Sequence, residues 1–134
     1  MSSTASSKRR SIYAKGASHS NPIPSASRIG NVILTGGIYG TDPATGKVPD
    51  APEEQVRYVF ANLRELLKEA GATPEDIVKL AFTVKSLSIR EAINKEWTAM
   101  FPDPESRPAR HVVQYDYLAG NQLLGCEAYL VLTS

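Results

Sequence analysis

The last predicted strand of this chain, residues 123–132, is apolar on both faces, and this pattern restricts the fold more than any other feature. One face carries Cys126, Ala128, Leu130 and Leu132, and the other carries Gly125, Glu127, Tyr129 and Val131. Both faces of such a strand have to be covered by other parts of the protein, because exposed apolar surface is costly in water. The fold therefore needs a layer on each side of this strand.

Two amphipathic helices supply one of those layers. The first is predicted over residues 52–70, where apolar side chains repeat at helical spacing. Pro52 suits its first turn and Gly71 suits its C-terminal cap. The second is predicted to begin at a capping box formed by Ser88 and Glu91 and to end at the prolines that follow. Its apolar side chains are Ile89, Ile93, Trp97, Met100 and Phe101.

The other predicted strands are residues 11–14, 31–39, 78–84 and 110–118. The second of these contains Gly36-Gly37, and glycines inside a strand mark a β-bulge or a close approach of a ligand to the backbone. Pro22 and Pro24 place residues 18–27 in a loop. Ala119-Gly120-Asn121 has the composition of a hairpin turn, so residues 110–118 and 123–132 are predicted to form a hairpin.

The predicted elements leave one side of the sheet uncovered. Two helices can cover only one face of a sheet of four or five strands, and no further segment remains for the other face. We therefore expect copies of the chain to pack sheet to sheet, because an uncovered apolar face would aggregate. The residues alone thus predict helices on one face of a sheet and a homo-oligomer.

Composition excludes several classes of protein. The 134 residues fit one domain, with residues 1–10 predicted as a tail and residues 11–134 as the folded part. The net charge of +1 argues against a dedicated nucleic-acid binder. The single cysteine, Cys126, cannot form an internal disulfide and is expected in the core. No apolar run approaches the ~18 residues of a membrane span, and no cluster of His, Cys and carboxylates has metal-ligand spacing.

The charge is unevenly distributed along the chain. Residues 1–41 contain five basic residues and no acidic one, whereas residues 42–134 contain ten basic and fourteen acidic residues. The serine-rich start with Lys8-Arg9-Arg10 is typical either of a transit peptide or of a solvated tail. We expect a cytoplasmic protein, or a mitochondrial one under the transit-peptide alternative.

Arg110 is the strongest functional candidate. A guanidinium is permanently charged and can bind a carboxylate through two parallel hydrogen bonds, which would orient a substrate. The structural alternatives are an ion pair with Glu127 or a cap on a helix C-terminus. His111 points to the opposite face of the strand and is expected to be a packed or surface side chain. Tyr115 and Tyr117 share the face of His111 and are expected to contact the core.

A set of short motifs carries a family resemblance. The motifs are Arg28-Ile29-Gly30-Asn31, Thr35-Gly36-Gly37 with Asp42-Pro43-Ala44-Thr45-Gly46, Asn62-Leu63, Gly71-Ala72 with Asp76-Ile77-Val78-Lys79, Ile93-Asn94, and Arg107-Pro108-Ala109-Arg110 before a strand. Their order and spacing resemble the Rid family (reactive intermediate deaminase A, also called the YjgF family). The likeness spans about residues 11–134 and indicates a divergent member.

The resemblance implies both a fold and an activity. The implied fold is a chorismate-mutase-like (bacillary type) α+β domain, with a mixed sheet and two helices on one face. The implied assembly is a homotrimer with ligand clefts between subunits. The family's best-known activity is the hydrolysis of 2-imino and 2-enamino acids to 2-oxo acids and ammonia, and it needs no metal or organic cofactor.

The resemblance also places site residues. The family's carboxylate-binding arginine falls on Arg110, and its catalytic glutamate falls on Gly125, where this chain has no acid. Glu127 matches a second acidic position on the same face; it either reaches the cleft or forms a buried ion pair between subunits. A tyrosine, a serine and a cysteine of the family's pocket fall on Ile23, Gly36 and Val112. The predicted catalytic residues are Arg110 and Glu127, and the predicted substrate-binding residues are Ile23, Gly36, Gly37, Asn94, Arg110, Val112 and Gly125.

These departures leave two functions open. The first is a deaminase, or a related hydrolase on a small carboxylate, with altered specificity. The second is a catalytically impaired trimer that binds small carboxylate metabolites between its subunits. The loss of a carboxylate, a phenol, a hydroxyl and a thiol makes the pocket wider, more apolar and less acidic, which suits a larger or more apolar ligand. In both cases the partners are a small carboxylate and further copies of the chain, without nucleic acid or membrane.

Overall fold

The computed structural model describes residues 8–133 of the chain. The strands are β1 (Arg10–Ile12), β2 (Ala26–Ile29), β3 (Val32–Thr35), β4 (Ile38–Tyr39), β5 (Ile77–Val84), β6 (Ala109–Gln114) and β7 (Leu124–Val131). The helices are α1 (Pro52–Ala70) and α2 (Arg90–Met100), and single turns of 3-10 helix lie at Lys15–Ala17, Pro74–Asp76 and Leu87–Ile89. Neither helix of this part of the chain is long and apolar enough to cross a membrane. The predicted division into a tail and a domain at residue 11 stays a prediction.

The strands form one mixed sheet. Its order is β1-β2-β3-β7-β5-β6, and β4 pairs with β7 beyond the end of β3. All pairs are antiparallel except β5 and β6, which run parallel. The two helices lie on one face, so the predicted α+β architecture is confirmed.

The core lies between the helices and one face of the sheet. The apolar side of α1 is fully buried against it, and Phe60 stacks on Phe82 of β5 with ring centroids 6.0 Å apart. The predicted bounds of α1 are confirmed, because its end signals are local in sequence. Gly71 adopts φ 69°, the left-handed conformation that closes a helix, and the next amide, of Ala72, donates to the carbonyl of Leu67.

The other face of the sheet is open and largely apolar. Register places the side chains of β3 opposite those of β7, and those of β6 beside those of β5. The exposed side chains of this open face include Ile29, Val32, Leu34, Val113, Tyr115, Tyr129 and Val131. They are 37–55% exposed in the isolated chain. The apolar side chains on both faces of β7 predict this uncovered surface.

The predicted hairpin between residues 110–118 and 123–132 is wrong. Gly120 does adopt a turn conformation, with φ 60°, but β5 lies between β6 and β7 and pairs with both. A strand that is apolar on both faces gains most from a central position in the sheet, and β7 occupies such a position between β3 and β5. The turn composition identified a change of direction and not the pairing partner.

Two further local predictions are corrected by the structure. The loop predicted over residues 18–27 ends earlier, because Ala26–Ile29 form β2, which pairs with both β1 and β3. The predicted capping box of Ser88 and Glu91 is not the start of the helix. The hydroxyl of Ser86 accepts a bond from the Ser88 amide, and α2 begins only at Arg90.

The strand that contains Gly36-Gly37 is interrupted by a β-bulge. Leu34 lies opposite Tyr129, whereas Ile38 lies opposite Cys126, so this strand has one more residue than β7 over the same length. The hydroxyl of Thr35 accepts a hydrogen bond of 2.8 Å from the amide of Ala128 across the break. The bulge changes the direction of the chain between β3 and β4, so that Tyr39 lies beside Gly125.

Candidate functional site

Arg110 lies on β6, the edge strand of the sheet, and points to the helix side. Its register partner in β5 is Leu80, whose side chain is fully buried beneath the helices. The guanidinium carbon lies 5.0 Å from the centroid of the Trp97 ring of α2, within the range of a cation–π contact. The indole therefore supports the cation at the margin of the sheet, where Arg110 is half-buried.

Within the part of the chain that the structure describes, no acid neutralises the charge of Arg110. Burial lowers the pKa of the guanidinium, and the neighbouring cation of Arg90 lowers it further. No carboxylate of residues 8–133 is among the groups that shift this pKa. A half-buried cation next to a second cation is an environment that an anion stabilises.

The structure separates Arg110 from both of its structural alternatives within one chain. Ala81 of β5 pairs with His111 on one side and with Glu127 on the other, so Glu127 points to the open face, opposite to Arg110. The arginine that caps α2 is Arg107, whose Nε donates to the carbonyl of Phe101 at 2.9 Å. Within residues 8–133 of one chain, neither Glu127 nor the C-terminus of α2 holds Arg110, and an ion pair with Glu127 of another copy stays the alternative.

Three further predicted residues lie on different parts of the fold. Val112 follows on the same face of β6 as Arg110 and packs partly against the core. Asn94 is exposed on α2, one turn before Trp97. Ile23 lies in the loop before β2 and is 46% exposed. Their roles as binding residues stay predictions.

A cavity of about 370 Å³ lies on the open face of the sheet. It is lined by Gly37, Tyr39, Ala81, Thr83, Val113, Tyr115, Leu118, Gly125, Cys126 and Glu127. The fold therefore brings together three of the predicted residues, Gly37, Gly125 and Glu127. Glu127 is the one carboxylate in this lining, and the other side chains are mostly aliphatic or aromatic.

Tyr39 occupies the space that side chains at two glycine positions would need. A Cβ atom on Gly125 would lie 2.6 Å from Cε1 of the Tyr39 ring, and one on Gly37 would lie 2.6 Å from its hydroxyl oxygen. Such distances are shorter than any non-bonded carbon contact. Gly125, where the resemblance places a glutamate, is therefore a position over which a tyrosine ring lies.

His19 is a second residue near the glycine pair that sequence reasoning did not identify. Its Nε2 atom is buried and has no hydrogen-bond partner among the described residues. A Cβ atom on Gly36 would lie 3.5 Å from this nitrogen, at ordinary contact distance. No local signal in the sequence places His19 beside Gly36, or Tyr39 beside Gly125, because both contacts depend on how the strands pair.

Two expectations about the end of the predicted strand 110–118 are wrong, because β6 ends at Gln114. Tyr115 and Tyr117, expected to contact the core, are 49% and 83% exposed. Their rings meet edge to face at 5.7 Å, and Tyr115 lines the cavity. Tyr115 follows β6 on the open side of the sheet, which is the side of His111, and Tyr117 lies in a turn beyond the end of the strand. Cys126, by contrast, is buried as expected, and burial together with the charge of Glu127 raises the pKa of its thiol.

Comparisons with known proteins agree on one family. The sequence model of endoribonuclease L-PSP matches residues 17–131. A RutC family protein of Haemophilus influenzae is 35% identical over 112 residues, which cover 82% of this chain and 86% of that protein. The 2-iminobutanoate/2-iminopropanoate deaminase of Escherichia coli is 32% identical over 104 residues, covering 77% and 81%. The crystal structure of RidA from an Antarctic Psychrobacter species superposes with a TM-score of 0.84 at 26% identity, covering 92% and 99%.

Proposed function

Because the chain belongs to the endoribonuclease L-PSP family, also called the Rid or YjgF family, we propose that it hydrolyses 2-imino or 2-enamino acids to 2-oxo acids and ammonia. The observation that carries this proposal is the half-buried guanidinium of Arg110, which no acid of the described chain neutralises. Substrates of this class carry a carboxylate next to the reacting carbon. The deaminase name of one relative supports the same chemistry.

The proposed site needs two copies of the chain. Arg110 and Glu127 point to opposite faces of the sheet, so one chain cannot present both to one small substrate. The open apolar face provides the surface against which a second copy packs. We therefore propose a trimer in which the edge strand β6 of one copy meets the open-face cavity of the next.

In this arrangement each residue has a distinct role. Arg110 binds the substrate carboxylate through two parallel hydrogen bonds and thereby fixes C2 near the cavity of the neighbouring copy. Glu127 holds a water molecule and moves its proton. The water oxygen bonds to C2 while the imine nitrogen gains a proton. The C2–N bond then breaks as the C2–O bond becomes a carbonyl, and nitrogen leaves as ammonia with the proton that the hydroxyl gives up.

The test is release of ammonia from imino acids that an amino-acid oxidase generates in the assay. We expect the wild-type protein to accelerate release above the spontaneous rate. Loss of a charge-assisted hydrogen bond is worth about 1.5–3 kcal/mol, so Arg110→Ala should lower kcat/KM by about 100-fold, and Arg110→Lys by less. Arg64→Ala, the same truncation at an exposed position of α1, should change nothing. Equal rates for the wild-type protein and Arg110→Ala would contradict the proposal.

The second candidate function is binding without turnover, and the Tyr39 ring over Gly125 favours it, because the family's acidic group is missing there. Titration calorimetry with 2-oxobutanoate separates the two functions. Binding that depends on Arg110, without any acceleration of imine hydrolysis, would support the binding protein. Acceleration of imine hydrolysis by the wild-type protein would contradict the second candidate function, binding without turnover.

A further inference from the structure

The ring of Tyr39 forms part of the wall of the open-face cavity because two strand glycines leave room for it. Gly125 lies in the central strand β7, and Gly37 lies at the bulge before β4. Glycine weakens a strand, and inside one it often marks a place where another group approaches the backbone closely. Here that group is the side chain of Tyr39, with its ring at Gly125 and its hydroxyl at Gly37.

Most of the other side chains that line the cavity are apolar, as the Tyr39 ring is. Val113, Tyr115 and Leu118 add aliphatic and aromatic surface. Its volume of about 370 Å³ falls within the range of sites for small molecules. Its one carboxylate, Glu127, repels a second negative charge. The cavity therefore favours an uncharged, apolar group of about the size of an amino-acid side chain.

We propose that Tyr39 determines substrate specificity. The proposal rests on the proposed deaminase function. The carboxylate of the 2-imino acid lies on Arg110 of one copy, and its aromatic or large aliphatic side chain lies against the Tyr39 ring of the next copy. Aromatic rings gain from stacked or edge-to-face contact with one another beyond the area they bury. Imino acids with small side chains fill the cavity poorly, and those with a second carboxylate are repelled by Glu127.

The experiment compares kcat/KM for imino acids generated from phenylalanine, alanine and glutamate. We expect the wild-type protein to prefer the phenylalanine-derived imine over the alanine-derived one by about tenfold or more, and to act least on the glutamate-derived one. Tyr39→Ala should reduce the preference for the phenylalanine-derived imine over the alanine-derived one to about threefold or less. Tyr39→Phe is the matched control: it keeps the ring and should keep the preference.

A second variant tests the same geometry without altering Tyr39. Gly125→Ala places a Cβ atom where the ring now lies, so the ring has to move and the preference should fall as in Tyr39→Ala. Circular dichroism and sedimentation of each variant show that fold and assembly are retained. An unchanged preference in folded Tyr39→Ala, or a wild-type preference for the alanine-derived imine, would overturn the proposal.

Binding measurements keep this inference separate from the proposed activity. Calorimetry with phenylpyruvate and pyruvate reports the same preference without any turnover. If the wild-type protein does not hydrolyse imines, the proposed function fails. A phenylpyruvate preference that Tyr39→Ala abolishes and Tyr39→Phe retains would still support Tyr39 as the specificity residue, and equal affinities for the two 2-oxo acids would overturn that role.

Discussion

At the scale of single residues, the neighbourhood of His19 makes the first prediction. Gly36 has a φ that any residue can adopt, and a Cβ there would meet Nε2 of His19, which has no partner within residues 8–133, at 3.5 Å. A serine hydroxyl at position 36 can therefore bond to this nitrogen. We expect Gly36→Ser to be more stable than Gly36→Ala by ~1 kcal/mol, the typical net value of one hydrogen bond.

Urea unfolding of the two variants measures this difference. The alanine variant controls for the loss of chain entropy when glycine is replaced, since both variants share it. Equal stability of Gly36→Ser and Gly36→Ala would show that the hydroxyl does not reach the ring of His19.

The thiol of Cys126 makes a second prediction at this scale. Burial, with a contribution from the charge of Glu127, raises its pKa above the ordinary value. Alkylation requires the thiolate, which the folded protein therefore suppresses. We expect iodoacetamide to leave the native protein unlabelled at pH 8 and to label it at denaturant concentrations that unfold it. Mass spectrometry measures the labelled fraction, and rapid labelling without denaturant would contradict the prediction.

Residue chemistry alone identified some of these positions and missed others. Arg110 could be identified because a guanidinium binds a carboxylate through two parallel hydrogen bonds, and its function stays a prediction. Tyr39 was not identifiable, because its importance comes from Gly125, which is 86 positions away in the sequence and is adjacent only through strand pairing. The same holds for His19 and Gly36.

At the scale of elements, Asp76 joins the turn before β5 to the end of β7. Its Oδ2 accepts from the amide of Thr73 at 2.9 Å, and its Oδ1 accepts from the hydroxyl of Thr133 at 2.8 Å. The bond from the Thr73 amide is the main reason that the pKa of Asp76 is lowered, and the Thr133 hydroxyl adds to it. The carboxylate is thus held in its charged form in the folded protein.

The lowered pKa gives a prediction with a definite sign. Stabilisation by Asp76 is complete above the unfolded-state pKa of about 3.9 and is lost as pH falls through the lower folded-state pKa. We expect Asp76→Ala to cost about 1–2 kcal/mol of unfolding free energy at pH 7, and less below about pH 3. Asp76→Asn, which keeps an acceptor but not the charge, should cost less and show no such pH dependence. Urea unfolding at both pH values measures this, and a cost for Asp76→Ala that does not change with pH would contradict it.

Elements could be predicted where their signals are local. The bounds of α1 follow from its apolar repeat, Pro52 and Gly71, all within one segment. The pairing of β6 and β7 was predicted wrongly because the turn at Gly120 reports only where the chain changes direction. Pairing depends on the competition of all strands for central positions, which β7 and β5 win because their helix-side faces are fully apolar and buried.

At the scale of the whole molecule, the open face predicts assembly. A charge in the middle of this apolar surface should prevent a second copy from covering it. We expect the wild-type protein to sediment as a trimer and Leu34→Lys, on β3, to sediment as a smaller species. Arg64→Glu, on the exposed side of α1, is the control and should not change the sedimentation. A trimer that Leu34→Lys leaves intact would place the interface elsewhere.

The same variant connects assembly with function. Leu34→Lys leaves Arg110 and Glu127 in place in each chain but separates the copies that the proposed site needs. We expect its deaminase activity to fall together with its sedimentation coefficient. An active monomer would show that one chain suffices and would contradict the two-copy site.

Counting the available covering layers was enough to predict that the chain associates, because two helices cannot cover both faces of β7. It was not enough to predict how the proposed site is divided between two copies. That division follows from the register that turns Arg110 and Glu127 to opposite faces, and register is a property of the paired sheet rather than of either strand alone.

The contact between Arg110 and Trp97 gives the protein an intrinsic optical reporter. Trp97 is the single tryptophan of the chain, and the guanidinium lies 5.0 Å from its ring. An anion that neutralises Arg110 changes the electric field at the indole, so its emission should shift as ligand is added. Affinities can thus be measured by fluorescence with no attached dye. The Arg110→Ala variant is the control, and its emission should not shift when ligand is added.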